Sequence, residues 1–358
     1  MYQSETDQGE RCMRRETVAA EFDPQRFLPR HWFDAITQVR VQRPEVIQAE
    51  AQSRRRRKTL TRDGRLTLLA ADQPARMVLR VGDEPLRLGN RWEYLGRIAR
   101  VLTSPAVDGL MATPDILEDL LILQRLVREA GGAPFLDEKL LIGCMNRGGL
   151  AGTVFELDDT FTAYTARAIR EQGLDGGKLM FRLDPTSPDA ARTVLACAQA
   201  VTELARAGLP AFLEPLPVQR TEKGWSVTMT PEALIPVVSV AQALGETSAF
   251  TWLKLPMVPD FAAVAASTTL PILVLGGEAH GDAPRLLQDV AGVMGSGASV
   301  RGVLMGRNIL FCGEADPLAM ARAVDGVVRG QDPATASQLL HAPQPNPDFF
   351  ARPEWGRA

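Results

Sequence analysis

Five ionisable residues stand in or at the ends of short apolar runs: Asp72 in RLTLLAAD, Lys178 in GGKLMFRLD, Glu214 in LPAFLEPL, Lys254 in FTWLKLP and Arg307 in VRGVLMGR. Lys254 is the most telling. An ammonium inside an apolar run is costly unless it is paired, reaches water or has given up its proton for chemistry. A lysine attacks a carbonyl only as the free amine, and an ordinary pKa of about 10.4 leaves little of that form at neutral pH. A second ammonium nearby and apolar walls both lower it; Lys178 supplies the one, and Trp252, Leu253 and Leu255 the other. An iminium formed on such a lysine is an electron sink, so the carbon–carbon bond one atom further out can break. Glu214 suits a proton shuttle for making and hydrolysing the imine, and Asp72 suits the hydroxyl that becomes the aldehyde.

Glycines beside two of these runs suggest an anion site. LGGEAHGD offers Gly276 and Gly277, whose backbone N–H groups can approach an oxygen closely, and MGRN adds Gly306 and Arg307. Each residue also has a structural reading. The lysines could be paired with carboxylates that merely hold them in place, and Arg307 could make a surface ion pair. Arg76, Arg182 and His280 are further candidates for touching substrate, and Trp252 is either a wall of the site or core.

These residues need a scaffold that brings distant segments to one place. Eight strand candidates follow one another: 65–72, 108–112, 139–145, 176–184, 209–216, 250–256, 270–277 and 300–307. Most are apolar without alternation, as strands buried on both faces are. Between them run helical patterns; in PDILEDLLILQRLVREAGG, Ile116, Leu120, Leu123 and Val127 recur at helical spacing and Gly131 supplies a stop. No glycine-rich dinucleotide loop follows the first strand, which favours a (β/α)8 TIM barrel over an open sheet. In such barrels the active site lies at the C-terminal ends of the strands, and the loops after strands seven and eight often hold a phosphate. We expect a helical N-terminal extension over 1–62, the barrel over 63–330 and an extended, proline-rich tail over 331–358. The long segment 218–230 is expected to form a small hairpin over the barrel mouth.

Composition narrows the partners. The chain has 358 residues, 45% of them hydrophobic, and a net charge of −3, which leaves no electrostatic footprint of nucleic acid or membrane surfaces. The run RRRRK at 54–58 reads as a solvated helix face or a subunit contact rather than a binding patch. Cys12, Cys144, Cys197 and Cys312 lack paired or metal-type spacing and read as reduced thiols. With no signal-like apolar stretch at the N-terminus, a cytoplasmic protein acting on a small molecule is expected. Metal-dependent aldol chemistry typically draws on several histidines, and His31, His280 and His341 include two in the terminal regions. We therefore expect no metal and no cofactor.

The runs AADQ (70–73), GGKLMFRLD, PAFLEP, WLKLP and GVLMGR resemble the strands of class I aldolases of the tagatose-1,6-bisphosphate aldolase type, within the deoxyribose-phosphate aldolase-like group. The likeness spans roughly residues 65 to 313. It implies that Lys254 forms the Schiff base, with Lys178, Glu214 and Asp72 as its partners, and that Gly306 and Arg307 contact substrate phosphate. The chain resembles still more closely a bacterial branch with AADxPAR in strand one and WLKLP in strand six, associated with inositol breakdown. That resemblance implies cleavage of 5-dehydro-2-deoxygluconate 6-phosphate to dihydroxyacetone phosphate and malonic semialdehyde, and a homo-oligomer. QPARMVLRVGD after Asp72, Arg182 and Pro256 depart from the tagatose-type pattern where the far end of the substrate would bind. The alternatives are another sugar-phosphate aldolase, of the tagatose- or fructose-bisphosphate type, and a non-catalytic regulatory protein that binds sugar phosphates.

Overall fold

Nine strands are present in the computed structural model, which describes residues 22–147, 149–222, 224–277 and 281–351. They are β1 (Leu66–Ala71), β2 (Gly109–Ala112), β3 (Leu140–Cys144), β4 (Gly176–Leu183), β5 (Ala211–Thr221), β6 (Gly224–Val227), β7 (Thr251–Pro256), β8 (Ile272–Leu275) and β9 (Val300–Met305). All but β6 pair in parallel in the cyclic order β1, β2, β3, β4, β5, β7, β8, β9 and back to β1, which closes a TIM barrel. All eight expected barrel strands are present. Their apolar runs lack alternation because each strand faces the barrel interior on one side and a ring of helices on the other.

The pleat sorts the residues of each strand. Leu66, Leu68 and Ala70 point inward onto Met111, Ile142, Cys144, Phe212, Leu273 and Leu304, while Leu69 and Ala71 join the core beneath the helices. Trp252 packs against this interior cluster, its ring centroid 6.2 Å from that of Phe212. Gly302 (φ +139°) sits where β9 meets β1, and a methyl there would overlap the Leu66 carbonyl. The helix Pro114–Glu129 buries Ile116, Leu120, Leu123 and Val127, the stripe read from its spacing.

β5 runs beyond the barrel and folds back on β6, pairing Val218 with Val227 and Thr221 with Gly224. Leu216 and Val218 of this hairpin cluster with Trp225, Val227, Leu157, Met180 and Leu275, residues at the C-terminal end of the barrel. The hairpin therefore stands beside the mouth.

Three helices, Pro24–Phe27, Arg30–Gln42 and Val46–Ser53, precede the barrel and share its outer core. The arginine run differs from the expectation. The helix stops at Ser53, and Arg54 and Arg57 are buried in ion pairs with Asp175 and Asp108, which directly precede β4 and β2. Arg54 also donates to the backbone carbonyls of Lys139 and Gly173. The run thus clamps the N-terminal helices to the bottom of the barrel, because isolated carboxylates at the strand starts demand cations. The tail also departs from a purely extended form. A short helix, Pro333–Ser337, comes first, and Phe349 and Phe350 then pack edge-on against Phe135, with Phe350 edge-on to Phe27. Trp32 Nε1 donates to the Phe350 carbonyl at 2.8 Å. Cys144, Cys197 and Cys312 are buried free thiols; Cys12 lies outside the described residues. Among the described residues, no helix is long and apolar enough to cross a membrane.

Candidate active site

The inward register of β1, β4, β5 and β7 brings Asp72, Lys178, Glu214 and Lys254 into one layer above the apolar interior. Each lies an even number of residues from an inward-facing neighbour: Ala70, Met180, Phe212 and Trp252 respectively. Lys178, fully buried, sits 3.0 Å from Asp72 Oδ2 and 2.8 Å from Glu214 Oε2. Lys254 Nζ donates to the same Glu214 oxygen at 2.9 Å. One carboxylate oxygen thus bridges two ammonium positions.

The electrostatics separate the two lysines. Burial opposes the charge on Lys178, but Asp72 and Glu214 together outweigh it and hold the ammonium well above the ordinary lysine range. Burial also opposes the charge on Lys254, and here it prevails: Glu214 pulls the other way, the Lys178 ammonium reinforces burial, and the pKa is lowered. Burial would raise the carboxyls, yet the lysines outweigh it, holding Glu214 down to about 2 and Asp72 lower still. The layer therefore holds the ammonium at Lys178 and makes the free amine easier to reach at Lys254 than at an ordinary lysine.

Lys254, Glu214 and Asp72 line a cavity of about 110 Å³ at the C-terminal ends of the strands. Gly276, Gly277, Gly306 and Arg307 line it too, from the ends of β8 and β9. Gly277 has φ +68° with open space where a side chain would point, and a methyl at Gly306 would run into the Ala70 carbonyl oxygen and the Gln73 amide. Asp72 Oδ1 is buried without a hydrogen-bond partner, although Oδ2 is paired with Lys178. Such an orphan acceptor at a cavity wall is suited to a substrate hydroxyl.

Two candidates lie elsewhere. Lys178 is in the floor and does not line the cavity. Arg182 is on the same face of β4 but four residues further along, a rise of about 13 Å. There it pairs at 2.5 Å with Glu156 of the loop after β3, so the structure does not bring it to the cavity. His280 lies outside the described residues. Trp252 belongs to the floor. Gln73 and Arg76 line the cavity as well. Gln73 accepts from Tyr94 Oη at 2.9 Å and braces the turn beside Gly306. The signal for both was their closeness in sequence to Asp72.

No curated protein matches the sequence. The structure is similar to that of Cgl0159 from Corynebacterium glutamicum (Brevibacterium flavum), with 35% identity and a TM-score of 0.78 over 84% of this chain and 98% of that one. It is also similar in fold to an archaeal fructose 1,6-bisphosphate aldolase, at 19% identity and a TM-score of 0.53 over 79% of this chain and 99% of that one. Another archaeal fructose-1,6-bisphosphate aldolase structure, with the catalytic lysine covalently bound to the carbinolamine intermediate, is 20% identical with a TM-score of 0.52, over 79% of this chain and all of that one. The family match spans residues 64–328, from the start of β1 to the end of the helix Pro317–Val328, and with it the chain belongs to the Cgl0159-like family.

Proposed function

We propose that the protein is a class I aldolase that cleaves a phosphorylated ketose or keto acid through a Schiff base on Lys254, releasing dihydroxyacetone phosphate and an aldehyde. The observation that carries this reading is the disposition of the two lysines on Glu214: one buried and permanently charged, the other at the cavity with its pKa lowered. In this reading the Lys254 amine adds to the substrate carbonyl. Glu214, in contact with both lysine nitrogens, passes the proton released from the attacking nitrogen to the carbonyl oxygen, giving the carbinolamine hydroxyl; a second proton, taken up from solvent and relayed by Glu214, lets that hydroxyl leave as water, and a protonated iminium remains. Asp72 Oδ1 then accepts the proton of the hydroxyl on the carbon beyond the neighbour of the imine carbon. The electron pair of the bond between those two carbons moves to the iminium, leaving an aldehyde and an enamine. Protonation of the enamine carbon and attack of water release the second product and restore the amine. The phosphate would rest on the backbone of Gly276, Gly277 and Gly306 with Arg307 beside it.

The sequence resemblance in AADQPAR and WLKLP supports 5-dehydro-2-deoxygluconate 6-phosphate as the substrate, with malonic semialdehyde as the aldehyde. The decisive experiment is incubation with dihydroxyacetone phosphate, borohydride reduction in the presence of a chelator, and mapping of the added mass. An adduct on Lys254 is expected. An adduct on Lys178 would reverse the two lysine roles, and no adduct with any carbonyl phosphate would refute the aldolase reading.

A further inference from the structure

The cavity holds one cation that neither the carboxylate layer nor the phosphate loops account for. Arg76 ends a short turn, Pro74–Arg76, that begins two residues after Asp72. Its backbone is fixed at several points: Arg76 N–H bonds to the Gln73 carbonyl at 3.0 Å, Val78 N–H to the same carbonyl at 3.2 Å, and Ala151 N–H to the Arg76 carbonyl at 3.1 Å. Ala151 belongs to the loop after β3, so that loop pins the turn over the mouth. Among the described residues the guanidinium has no hydrogen-bond or ion-pair partner, and its Nε is buried. A guanidinium stays charged at any working pH and presents a planar fork that matches a carboxylate or phosphate.

The carboxylates that share the cavity are already committed, Asp72 to Lys178 and Glu214 to both lysines. Arg76 is close enough to bear on the charges of Asp72, Glu214 and Lys178. It lines the cavity from the turn that follows Asp72 at the end of β1, whereas Gly276 and Gly277 follow β8, the strand beside Lys254. In the aldolase reading on which this inference rests, the substrate arm beyond the cleaved bond runs past Asp72. We infer that Arg76 is a specificity-determining residue that binds an anionic group, a carboxylate or a phosphate, on the aldehyde half of the substrate. The enzyme would then accept doubly anionic substrates, with one charge at each end.

The test uses the synthetic direction. The full-length protein and its Arg76→Ala and Arg76→Lys variants are given dihydroxyacetone phosphate with three acceptors: malonic semialdehyde, glyceraldehyde 3-phosphate and neutral glyceraldehyde. Borohydride trapping of dihydroxyacetone phosphate on Lys254 is run beside the kinetics as a check that imine chemistry survives. The wild type is expected to favour one of the anionic acceptors over the neutral one, and which of them it favours identifies the group. Arg76→Ala is expected to lower the ratio of anionic to neutral kcat/KM by about 10–100-fold, the effect of losing one charge-assisted contact, mainly through KM. Arg76→Lys should restore part of it. An equal loss for charged and neutral acceptors, or a wild type indifferent to acceptor charge, would overturn the inference while leaving the aldolase reading intact. Failure of the wild type to trap dihydroxyacetone phosphate would overturn both.

Discussion

Lys178→Met isolates the role given to the second lysine. Both nitrogens approach one Glu214 oxygen, at 2.8 and 2.9 Å, so with an ordinary angle at that oxygen they are about 5 Å apart. At an effective dielectric of about 20, two unit charges at about 5 Å repel by about 3 kcal/mol. Removing Lys178 withdraws that repulsion and leaves Glu214 to act on Lys254 alone, so both changes favour the protonated form. The fraction of free amine at neutral pH should fall by roughly 100-fold. The assay is the initial rate of borohydride trapping of dihydroxyacetone phosphate on Lys254 as a function of pH, which reads imine formation without carbon–carbon cleavage. The variant should trap more slowly near neutrality and approach the wild type only at higher pH. Lys178→Arg, which keeps a charge, should stay nearer the wild type. Because Asp72 also loses its partner, near-ultraviolet circular dichroism must show that the variant is folded. Superimposable pH profiles for folded Lys178→Met and wild type would refute the argument that Lys178 tunes Lys254.

Three other perturbations follow from the same geometry. Asp175→Ala leaves the buried Arg54 guanidinium without its carboxylate and the Leu141 N–H without its acceptor, and should cost about 3–5 kcal/mol in urea unfolding. Asp175→Asn retains an acceptor and should cost less; a loss below about 1 kcal/mol for Asp175→Ala would argue against the clamp. Gly306→Ala pushes a methyl against the Ala70 carbonyl and should cost about 1–3 kcal/mol while weakening inorganic phosphate binding in calorimetry. Unaltered phosphate affinity would remove Gly306 from the anion site. Acid stability tests the carboxylates. Their folded pKa values lie below the unfolded ones, so their contribution is complete above about pH 4 and is lost as pH falls towards 2, where Glu214 titrates. Asp72→Asn should flatten the fall of the urea midpoint across that window, and an unchanged slope would show that Asp72 does not carry it.

Much of the scaffold was legible because burial on both faces leaves a signature within each strand. The four ionisable residues of the layer could be picked out for the same reason: a charge in an unbroken apolar run stands out locally. What was not legible depends on partners far along the chain. Arg54 and Arg57 look like a basic helix face until Asp175 and Asp108 are seen beside them. Arg182 shares a face with Lys178, yet sequence spacing does not say how far a strand projects beyond the barrel, and the pairing with Glu156 decides the matter. The hairpin over 218–230 was legible as a segment too long for a usual loop; that β5 runs unbroken into it was not, because its last residues find partners in β6. The short helix at Pro333–Ser337 is set by Asp332, whose side chain accepts from the Thr335 N–H, a cap easily passed over in a proline-rich tail.

The layer also gives a reason to expect the adduct on Lys254 rather than on Lys178. Lys178 has a carboxylate on each side, no exposed surface and no wall of the cavity. Freeing its amine would leave Asp72 and Glu214 buried with one cation fewer, a penalty of several kcal/mol. Lys254 shares a single carboxylate oxygen that keeps a second cation when Lys254 becomes neutral. Deprotonating Lys254 therefore leaves Glu214 paired and Asp72 untouched. The charge that can be lost is the one at the cavity, and the charge that cannot is the one beneath it. In the proposed mechanism, nucleophile and electrostatic partner would thus be set by the number of carboxylates each lysine touches rather than by the strand each stands on.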